Sequence, residues 1–180
     1  MKLLSICGSP RKGNTEWMLT ELNRLCEEQG AAAELVLLRK LDIKPCTGCL
    51  ACEKGGIERK GVCKIKDDMS GLLSRMLLAD IIVFGTPVYF EMLSGILKNF
   101  MDRTCPIWPK LKGKGCAGVA VAEEGIGKAI ENIQTYASLC SMKWIGSATA
   151  LAKTPRQAAE DTAIAVKIGR LADAVNTARI

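Results

Sequence analysis

The sequence predicts an α/β protein in which one doubly wound, parallel, five-stranded sheet is covered by helices on both faces. Two observations lead to this fold class. Five short apolar runs alternate along the chain with segments whose apolar residues recur at helical spacing. The strand candidates are also apolar throughout, as expected for parallel strands that are buried on both faces. With 180 residues, 48% of them hydrophobic, the chain is expected to fold as a single domain, residues 1–180, without disulfides.

The predicted strands follow one another as KLLSIC (2–7), ELVLL (34–38), DIIVFG (80–85), GCAGVAVA (115–122) and WIGSATAL (144–151). The first strand ends in Gly-Ser-Pro, which is typical of the end of a buried strand. The fourth is predicted as a strand despite its glycines. Parallel sheets of this kind bind ligands at the carboxyl ends of their strands. The loops after the first, third and fourth strands are therefore the candidate binding loops.

Five helices are predicted between and after these strands, at residues 14–29, 67–78, 93–101, 126–140 and from residue 154 onward. Asn14 is the predicted cap of the first helix, and Gly30 ends it. The last helix is predicted to begin with Thr154 as its cap and Pro155 in the first helical position.

Composition excludes several classes of function. The net charge of +6 comes from scattered basic residues and a modest cluster (Arg103, Lys110, Lys112, Lys114), which we interpret as solvated surface charge and not as a nucleic-acid site. No apolar run approaches the ~20 residues that span a bilayer, and the opening apolar stretch is too short for a secretory signal. A reducing, cytoplasmic location is expected. The absence of histidine excludes imidazole acid–base catalysis and any histidine metal ligand.

The loop GSPRKGNT (8–15) after the first strand has the composition of an anion-binding site. Its small residues let backbone N–H groups and the hydroxyls of Ser9 and Thr15 converge on an anion, which the dipole of the next helix also favours. Its two glycines have the spacing of a nucleoside-triphosphate loop, but Asn14 stands where that motif has its lysine. The loop therefore predicts a site for a single phosphate. The alternative is an ordinary turn with a helix cap.

The loops after the third and fourth strands predict a site for a planar ring. The sequence GTPVYF (85–90) places Tyr89 and Phe90 side by side, in a chain with only 4% aromatic residues. The alternative is a buried turn in which Phe90 belongs to the core. The glycine-rich AEEGIG (122–127) follows the fourth strand and could pass along the edge of the same ring.

A cysteine-rich insert, residues 41–66, follows the second strand. Its C-x-x-C-x-x-C run brings three thiolates, from Cys46, Cys49 and Cys52, within reach of one [4Fe–4S] cubane. Cys63, separated from Cys52 by ten residues, is the candidate fourth ligand. Free or packed thiols, a zinc site and a catalytic dithiol remain open alternatives. Four further cysteines are predicted to lie in the core, namely Cys7, Cys26, Cys116 and Cys140, and Cys105 is assigned no role.

With these segments the chain resembles the flavodoxin-fold NAD(P)H-dependent FMN oxidoreductases, in the branch that includes the iron–sulfur flavoproteins. The resemblance rests on GSPRKGNT, on the cysteine run leading to GVCKIKDDM, and on ADIIVFGTPVYFEMLSGILKNFMDR, and covers about the first hundred residues. It implies the strand order 2-1-3-4-5, FMN as the cofactor and, in that branch, a [4Fe–4S] cluster.

The resemblance also implies the residues of both sites. Those expected to hold the phosphate and ribityl end of FMN are Ser9, Arg11, Asn14 and Thr15. Those expected to line the isoalloxazine ring are Thr86, Pro87, Val88, Tyr89 and Phe90. Those expected to close over the ring are Ala122, Glu123 and Gly125. The cluster ligands would be Cys46, Cys49, Cys52 and Cys63, and no catalytic residue is assigned.

The implied function is electron transfer between NAD(P)H or a reduced carrier and a quinone, a metal complex or a protein acceptor. A homodimer or homotetramer with FMN near its subunit interfaces is expected. No nucleic-acid partner and no membrane span are expected. Two alternatives remain open: a flavodoxin-type electron carrier without nicotinamide turnover, and a non-catalytic binding module.

Overall fold

The computed structural model of the protein describes residues 1–54 and 62–178, so residues 55–61 of the predicted insert lie outside the described residues. The strands are β1 (Lys2–Cys7), β2 (Ala32–Leu37), β3 (Ile81–Tyr89), β4 (Met92–Leu93), β5 (Gly115–Ala122) and β6 (Lys143–Leu151). The helices are α1 (Asn14–Glu28), α2 (Met69–Leu78), α3 (Gly95–Asp102), α4 (Ala129–Leu139), α5 (Gln157–Glu160) and α6 (Thr162–Thr177). None of the helices within the described ranges has both the length and the apolar character that crossing a membrane requires.

The parallel strands form one sheet in the order β2-β1-β3-β5-β6. The short β4 pairs only with β3 and runs antiparallel to it. Without β4 the order of the parallel strands is 2-1-3-4-5, which confirms the predicted flavodoxin-like, doubly wound fold. The loops after β1, β3 and β5 all leave the same edge of the sheet, because these strands are parallel.

Helices cover the sheet on both faces. On one face α1 and α6 bury Met18, Leu22 and Ile168 against the strands. On the other face α2, α3 and α4 form a second layer that contains Leu72 and Phe100. Burying an apolar side chain of this size contributes about 1.5–3 kcal/mol. The four cysteines predicted for the core are confirmed as buried: Cys7, Cys26, Cys116 and Cys140.

The third strand is longer than predicted and continues into a hairpin. It was predicted to end at Gly85, but β3 runs to Tyr89 and pairs there with Met92 of β4. The two turn residues, Phe90 and Glu91, have φ values of 47° and 66°. Positive φ in a hairpin turn is most often supplied by glycine or asparagine, so the sequence gives no signal for this turn.

The predicted start of the last helix is wrong. The chain forms the short α5 and then begins α6 at Thr162, where the Asp161 carboxylate accepts a hydrogen bond from the N–H of Ala163 at 2.8 Å. Arg156, directly after Pro155, has φ 71° and interrupts a helix at that point. The aspartate cap therefore starts the long helix, and the Thr-Pro pair belongs to the preceding turn.

Candidate functional site

The loops after β1 and β3 are in direct contact at the carboxyl edge of the sheet. The backbone N–H of Gly8 donates to the carbonyl of Gly85 at 2.8 Å. The Ser94 hydroxyl, at the N-cap of α3, donates to the carbonyl of Gly8 at 2.7 Å. A Cβ atom on Gly8 would lie 2.6 Å from Cβ of Leu97, so this close approach requires glycine. The two predicted binding loops are thereby held side by side.

The start of α1 has the features of an anion site. Gly13 occupies the N-cap position, and no side chain caps the helix there. The first N–H groups of a helix have no partner within the helix, and they carry the positive end of its dipole. Thr15 lies in the first turn of this helix and Ser9 in the loop that leads to it; they are only 3% and 4% exposed. Backbone N–H donors are therefore available where the sequence predicts a phosphate.

The charges around this loop also favour an anion. Arg11 and Lys12 are exposed on the loop. Glu16, the acidic residue in the first turn of α1, would repel a phosphate, but Arg39 pairs with it at 2.9 Å. The paired carboxylate leaves the loop with a net positive field.

Two of the predicted phosphate residues are used to hold the loop itself. The Asn14 side chain donates to the carbonyl of Thr154 at 2.8 Å and accepts from the N–H of Ala158 at 3.3 Å. The Ser9 hydroxyl donates to the carbonyl of Arg11 at 2.8 Å. Asn14 thus joins the loop to the segment before α6, and a direct bond from its side chain to the phosphate stays a prediction.

The predicted ring site consists of exposed aromatic surface. Tyr89 is 46% exposed and Phe90 is 99% exposed, so the alternative in which Phe90 is a core residue is wrong. Thr86 is fully buried, and its hydroxyl accepts from the N–H of Ser94 at 2.9 Å. Thr86 therefore shapes the turn, while the two aromatic side chains are free to pack against a planar ring.

The loop after β5 packs against the same hairpin. The N–H of Lys128 donates to the carbonyl of Glu91 at 2.6 Å. Gly127 has φ 51°, and a Cβ atom there would lie 2.5 Å from the Glu91 carbonyl oxygen. Glu123, by contrast, lies at the exposed start of this loop, 3.6 Å from the Lys153 ammonium. All three predicted binding loops therefore lie at one edge of the sheet, where β3 and the hairpin that continues it contact both of the other loops.

The cysteines of the insert lie near a further cysteine that the sequence left unassigned. Cys46 and Cys49 are exposed, whereas Cys52 and Cys63 are half-buried. Burial, the largest cause, and the neighbouring Cys105 thiol together raise the pKa of Cys52 to about 11. Within residues 1–54 and 62–178, no three Cys, Asp or Glu side chains lie close enough together to hold a metal ion. The four-cysteine ligand set stays a prediction.

A buried ion pair that the sequence did not reveal fixes the base of the insert. The side chains of Arg103 and Asp67 are 1% and 0% exposed, and a guanidinium nitrogen lies 2.6 Å from a carboxylate oxygen. This contact holds the pKa of Asp67 at about 2. Arg103 also donates to the carbonyl of Lys44, and Asp67 accepts from the N–H groups of Lys44 and Met69. The interpretation of Arg103 as a solvated surface charge is wrong.

The chain matches the family of NADPH-dependent FMN reductases over residues 1–156. It belongs to this family. An iron–sulfur flavoprotein of Methanocaldococcus jannaschii is 36% identical to this FMN reductase family member over 152 residues, which cover 81% of this chain and 76% of the relative. An iron–sulfur flavoprotein of Archaeoglobus fulgidus is 44% identical over 104 residues, 58% of this chain, and the match spans 49% of that relative's length. Both relatives are named iron–sulfur flavoproteins, the branch that the sequence resembles.

Solved structures share the fold. A flavone reductase superimposes with a TM-score of 0.75 at 23% identity, covering 98% of this chain and 64% of the other. A flavodoxin from the domain Archaea gives a TM-score of 0.68 at 15% identity, covering 98% and 96%. At these identities the comparison supports the flavodoxin-like architecture of the FMN reductase family member and nothing finer.

The residues of this FMN reductase family member fit an FMN. The uncapped, positively charged start of α1 suits the phosphate, and the exposed aromatic hairpin suits the ring. A cavity of about 550 Å³ lies beside this edge and not in it. Met92 and Leu93 of β4, together with Tyr136 and Leu139 of α4, are among its lining residues. Residues 86–90, predicted to line the ring, do not line this cavity.

Proposed function

We propose that the protein is an FMN-dependent oxidoreductase that moves electrons between NAD(P)H or a reduced carrier and a quinone, metal complex or protein acceptor. The observation that carries the proposal is the Gly8–Gly85 hydrogen bond, which joins the loop that leads into the uncapped start of α1 to the strand that continues into the exposed aromatic hairpin. When bound, FMN accepts two electrons from a nicotinamide and releases them singly or in pairs. Membership in the family of NADPH-dependent FMN reductases supports the nicotinamide as donor.

The chain's own residues bind and orient the cofactor in this proposal. Backbone N–H groups at the start of α1, with Ser9, Arg11 and Thr15, hold the phosphate, and Asn14 keeps their loop in place. Residues 87–90 line the ring on one side and the buried Thr86 shapes their turn, while Ala122, Glu123 and Gly125 cover the edge of the ring. Tyr89 is the one side chain that we place near enough to the ring to assist proton exchange with water.

The test is an anaerobic mixture of the FMN-loaded protein with NADPH, followed by visible absorbance. Loss of the flavin bands within seconds supports the oxidoreductase. Persistent flavin bands, in a protein that dithionite does bleach, support the electron carrier instead. A colourless protein that does not bind added FMN would support the alternative of a non-catalytic binding module and contradict the proposed function.

We also propose that the insert would hold a [4Fe–4S] cluster, which would supply electron transfer between FMN and the outside carrier. The relative from M. jannaschii, named an iron–sulfur flavoprotein, supports this at 36% identity. Cys46, Cys49 and Cys52 supply three thiolates, and the sequence predicts Cys63 as the fourth. Iron and acid-labile sulfide are measured in protein purified anaerobically. About four irons per chain support the cluster, one zinc supports the zinc site, and no metal supports free thiols or a dithiol.

We also propose that the protein is cytoplasmic and forms a homo-oligomer. Met92 and Leu139, at the rim of the large apolar cavity, are 55% and 70% exposed. Covering them with a second copy would remove apolar surface from water. Light scattering after size exclusion tests this directly: a mass of two or four chains supports it, and a monomer at micromolar concentration contradicts it.

A further inference from the structure

The segment that follows the last strand reaches the proposed FMN site, although the sequence indicated only the loops after the first, third and fourth parallel strands. This 152–158 segment leaves β6 at the same edge of the sheet, because β6 runs parallel to β5. The N–H of Ala152 donates to the carbonyl of Ala122, the last residue of β5, at 2.8 Å. The Lys153 ammonium lies 3.6 Å from the Glu123 carboxylate. The segment therefore adjoins two of the residues that are expected to close over the flavin ring.

The 152–158 segment is also joined to the start of α1. The Asn14 side chain donates to the carbonyl of Thr154 at 2.8 Å and accepts from the N–H of Ala158 at 3.3 Å. Asn14 is the first residue of α1, where we place the phosphate of FMN. The segment thus extends from the loop at the edge of the ring to the loop at the phosphate.

Arg156 lies midway between the two residues that contact Asn14. Two residues of extended chain span at most about 7 Å, so the Cα atom of Arg156 is within that distance of both Thr154 and Ala158. Its side chain is exposed, and within the described ranges its guanidinium makes no ion pair. A planar guanidinium can bind two oxygens of one phosphate. An arginine is therefore available close to the proposed phosphate position.

The backbone of Arg156 has a conformation that arginine rarely adopts. Its φ of 71° and ψ of −8° lie in the left-handed region, which is unfavourable for a residue with a Cβ atom. The turn is fixed around it, because Oε1 of Gln157 accepts from the N–H groups of Lys153 at 2.7 Å and Thr154 at 3.2 Å. Glycine would fit this conformation without strain. Backbone geometry thus favours glycine here, and a ligand for the guanidinium would explain the arginine.

The charge of a flavin phosphate calls for more than one cation. A phosphate monoester carries about −1.5 to −2 charges at pH 7. Arg11 and Lys12 are exposed on the loop before α1 and supply positive charge from that side. Lys153 lies beside two carboxylates of the loop after β5. Arg156 is thus the cation of the 152–158 segment that can be given to a phosphate.

We propose that the 152–158 segment forms a fourth wall of the FMN site and that the Arg156 guanidinium binds the phosphate of FMN. This inference rests on the proposed function, and it adds residues of the segment after β6 to the cofactor site. In it, Arg156 donates N–H hydrogen bonds to phosphate oxygens, while Asn14 and Gln157 hold the segment in place.

The experiment titrates the flavin-free Arg156→Gln variant with FMN and with riboflavin and follows flavin fluorescence. We expect the affinity for FMN to fall roughly 10-fold, because a charge-assisted contact is lost, and the affinity for riboflavin to stay at the wild-type value. Arg170→Gln, which removes an exposed arginine of α6, is the matched control and should bind both flavins as the wild type does.

A second variant separates phosphate binding from a purely structural role. Arg156→Gly removes the guanidinium but suits a φ of 71°. Its affinity for FMN should fall as much as that of Arg156→Gln, while the unfolding temperature of the flavin-free protein should not fall. Wild-type FMN affinity in either variant, or an equal loss for both flavins, contradicts the phosphate contact while the proposed function stands.

The wild-type protein provides a test that does not depend on the folding of a variant. Backbone N–H groups of the 152–158 segment should exchange with deuterium more slowly when FMN is bound than when riboflavin is bound. Equal exchange with the two flavins contradicts the inference. A wild-type protein that binds neither flavin removes the proposed function and this inference together.

Discussion

Asp67→Asn tests whether the buried ion pair with Arg103 holds the base of the cysteine insert. The substitution keeps the shape of the side chain but leaves the guanidinium, 1% exposed, without its counter-ion. Removing one partner of a buried pair costs about 3–5 kcal/mol. We expect the free energy of unfolding, from urea denaturation of the FMN-saturated protein at pH 7, to fall by that amount. The matched control is Asp102→Asn, which breaks an ion pair between the exposed side chains of Lys98 (61% exposed) and Asp102 (46% exposed). It should lower the free energy of unfolding by less than about 1 kcal/mol.

The same pair predicts how stability depends on pH. The pKa of Asp67 in the folded protein is about 2, below the ordinary value near 3.9. A lowered carboxyl pKa contributes stability that is complete above about pH 4 and is lost as pH falls toward 2, here ~2.5 kcal/mol. Wild-type stability should therefore drop more steeply than that of Asp67→Asn between these values. A loss below about 1 kcal/mol at pH 7, or parallel pH curves for the two proteins, would refute the reasoning.

Three further predictions concern the loops around the proposed FMN. Thr15→Val removes a hydroxyl at a position that is 3% exposed. The affinity for FMN, measured by fluorescence quenching, should fall roughly 10-fold. An equal loss of affinity for riboflavin would contradict a role of Thr15 in binding the phosphate. Gly127→Ala introduces a Cβ atom 2.5 Å from the Glu91 carbonyl oxygen at φ 51°, so its thermal unfolding should show a loss of about 1–3 kcal/mol. Gly125→Ala, with no atom within 4 Å of the added Cβ, should be neutral, and equal losses would count against the packing of this loop on the hairpin. Ser94→Ala removes the N-cap of α3 and the 2.7 Å bond to Gly8, and should lower the free energy of urea unfolding by about 1–2 kcal/mol. The exposed Ser74→Ala serves as its control, and a loss of the same size there would remove the special role of Ser94.

The fold could be predicted because the apolar pattern of each segment agrees with its place in the parallel sheet. Apolar runs such as KLLSIC are buried on both sides in a parallel sheet, and the sequence shows this directly. The hairpin at the end of β3 was missed, because its turn residues, Phe90 and Glu91, are not those that usually adopt positive φ. The Thr-Pro pair predicts a start for the last helix that is too early, because this signal is local. The structure of the segment around Ala158 also depends on a hydrogen bond with Asn14, near the other end of the chain.

The candidate site was predictable in position but not in its detailed contacts. Parallel strands bring the ends of β1, β3 and β5 to one edge, so the strand order alone predicts that the three candidate loops lie together. The hydrogen bonds of Asn14 are made with residues about 140 positions away along the chain. Asp67 and Arg103 are 36 residues apart, and no periodic pattern signals their pairing. Such contacts depend on tertiary packing, which local sequence patterns do not reveal.

The central claim is that the start of α1 holds the phosphate of FMN beside the Tyr89 hairpin. Titration of the flavin-free protein with FMN and with riboflavin, which differ only in that phosphate, tests this claim most directly. Because charge-assisted hydrogen bonds contribute about 1.5–3 kcal/mol each, we expect riboflavin to bind roughly 100-fold more weakly than FMN. Equal affinity for the two flavins would contradict the claim.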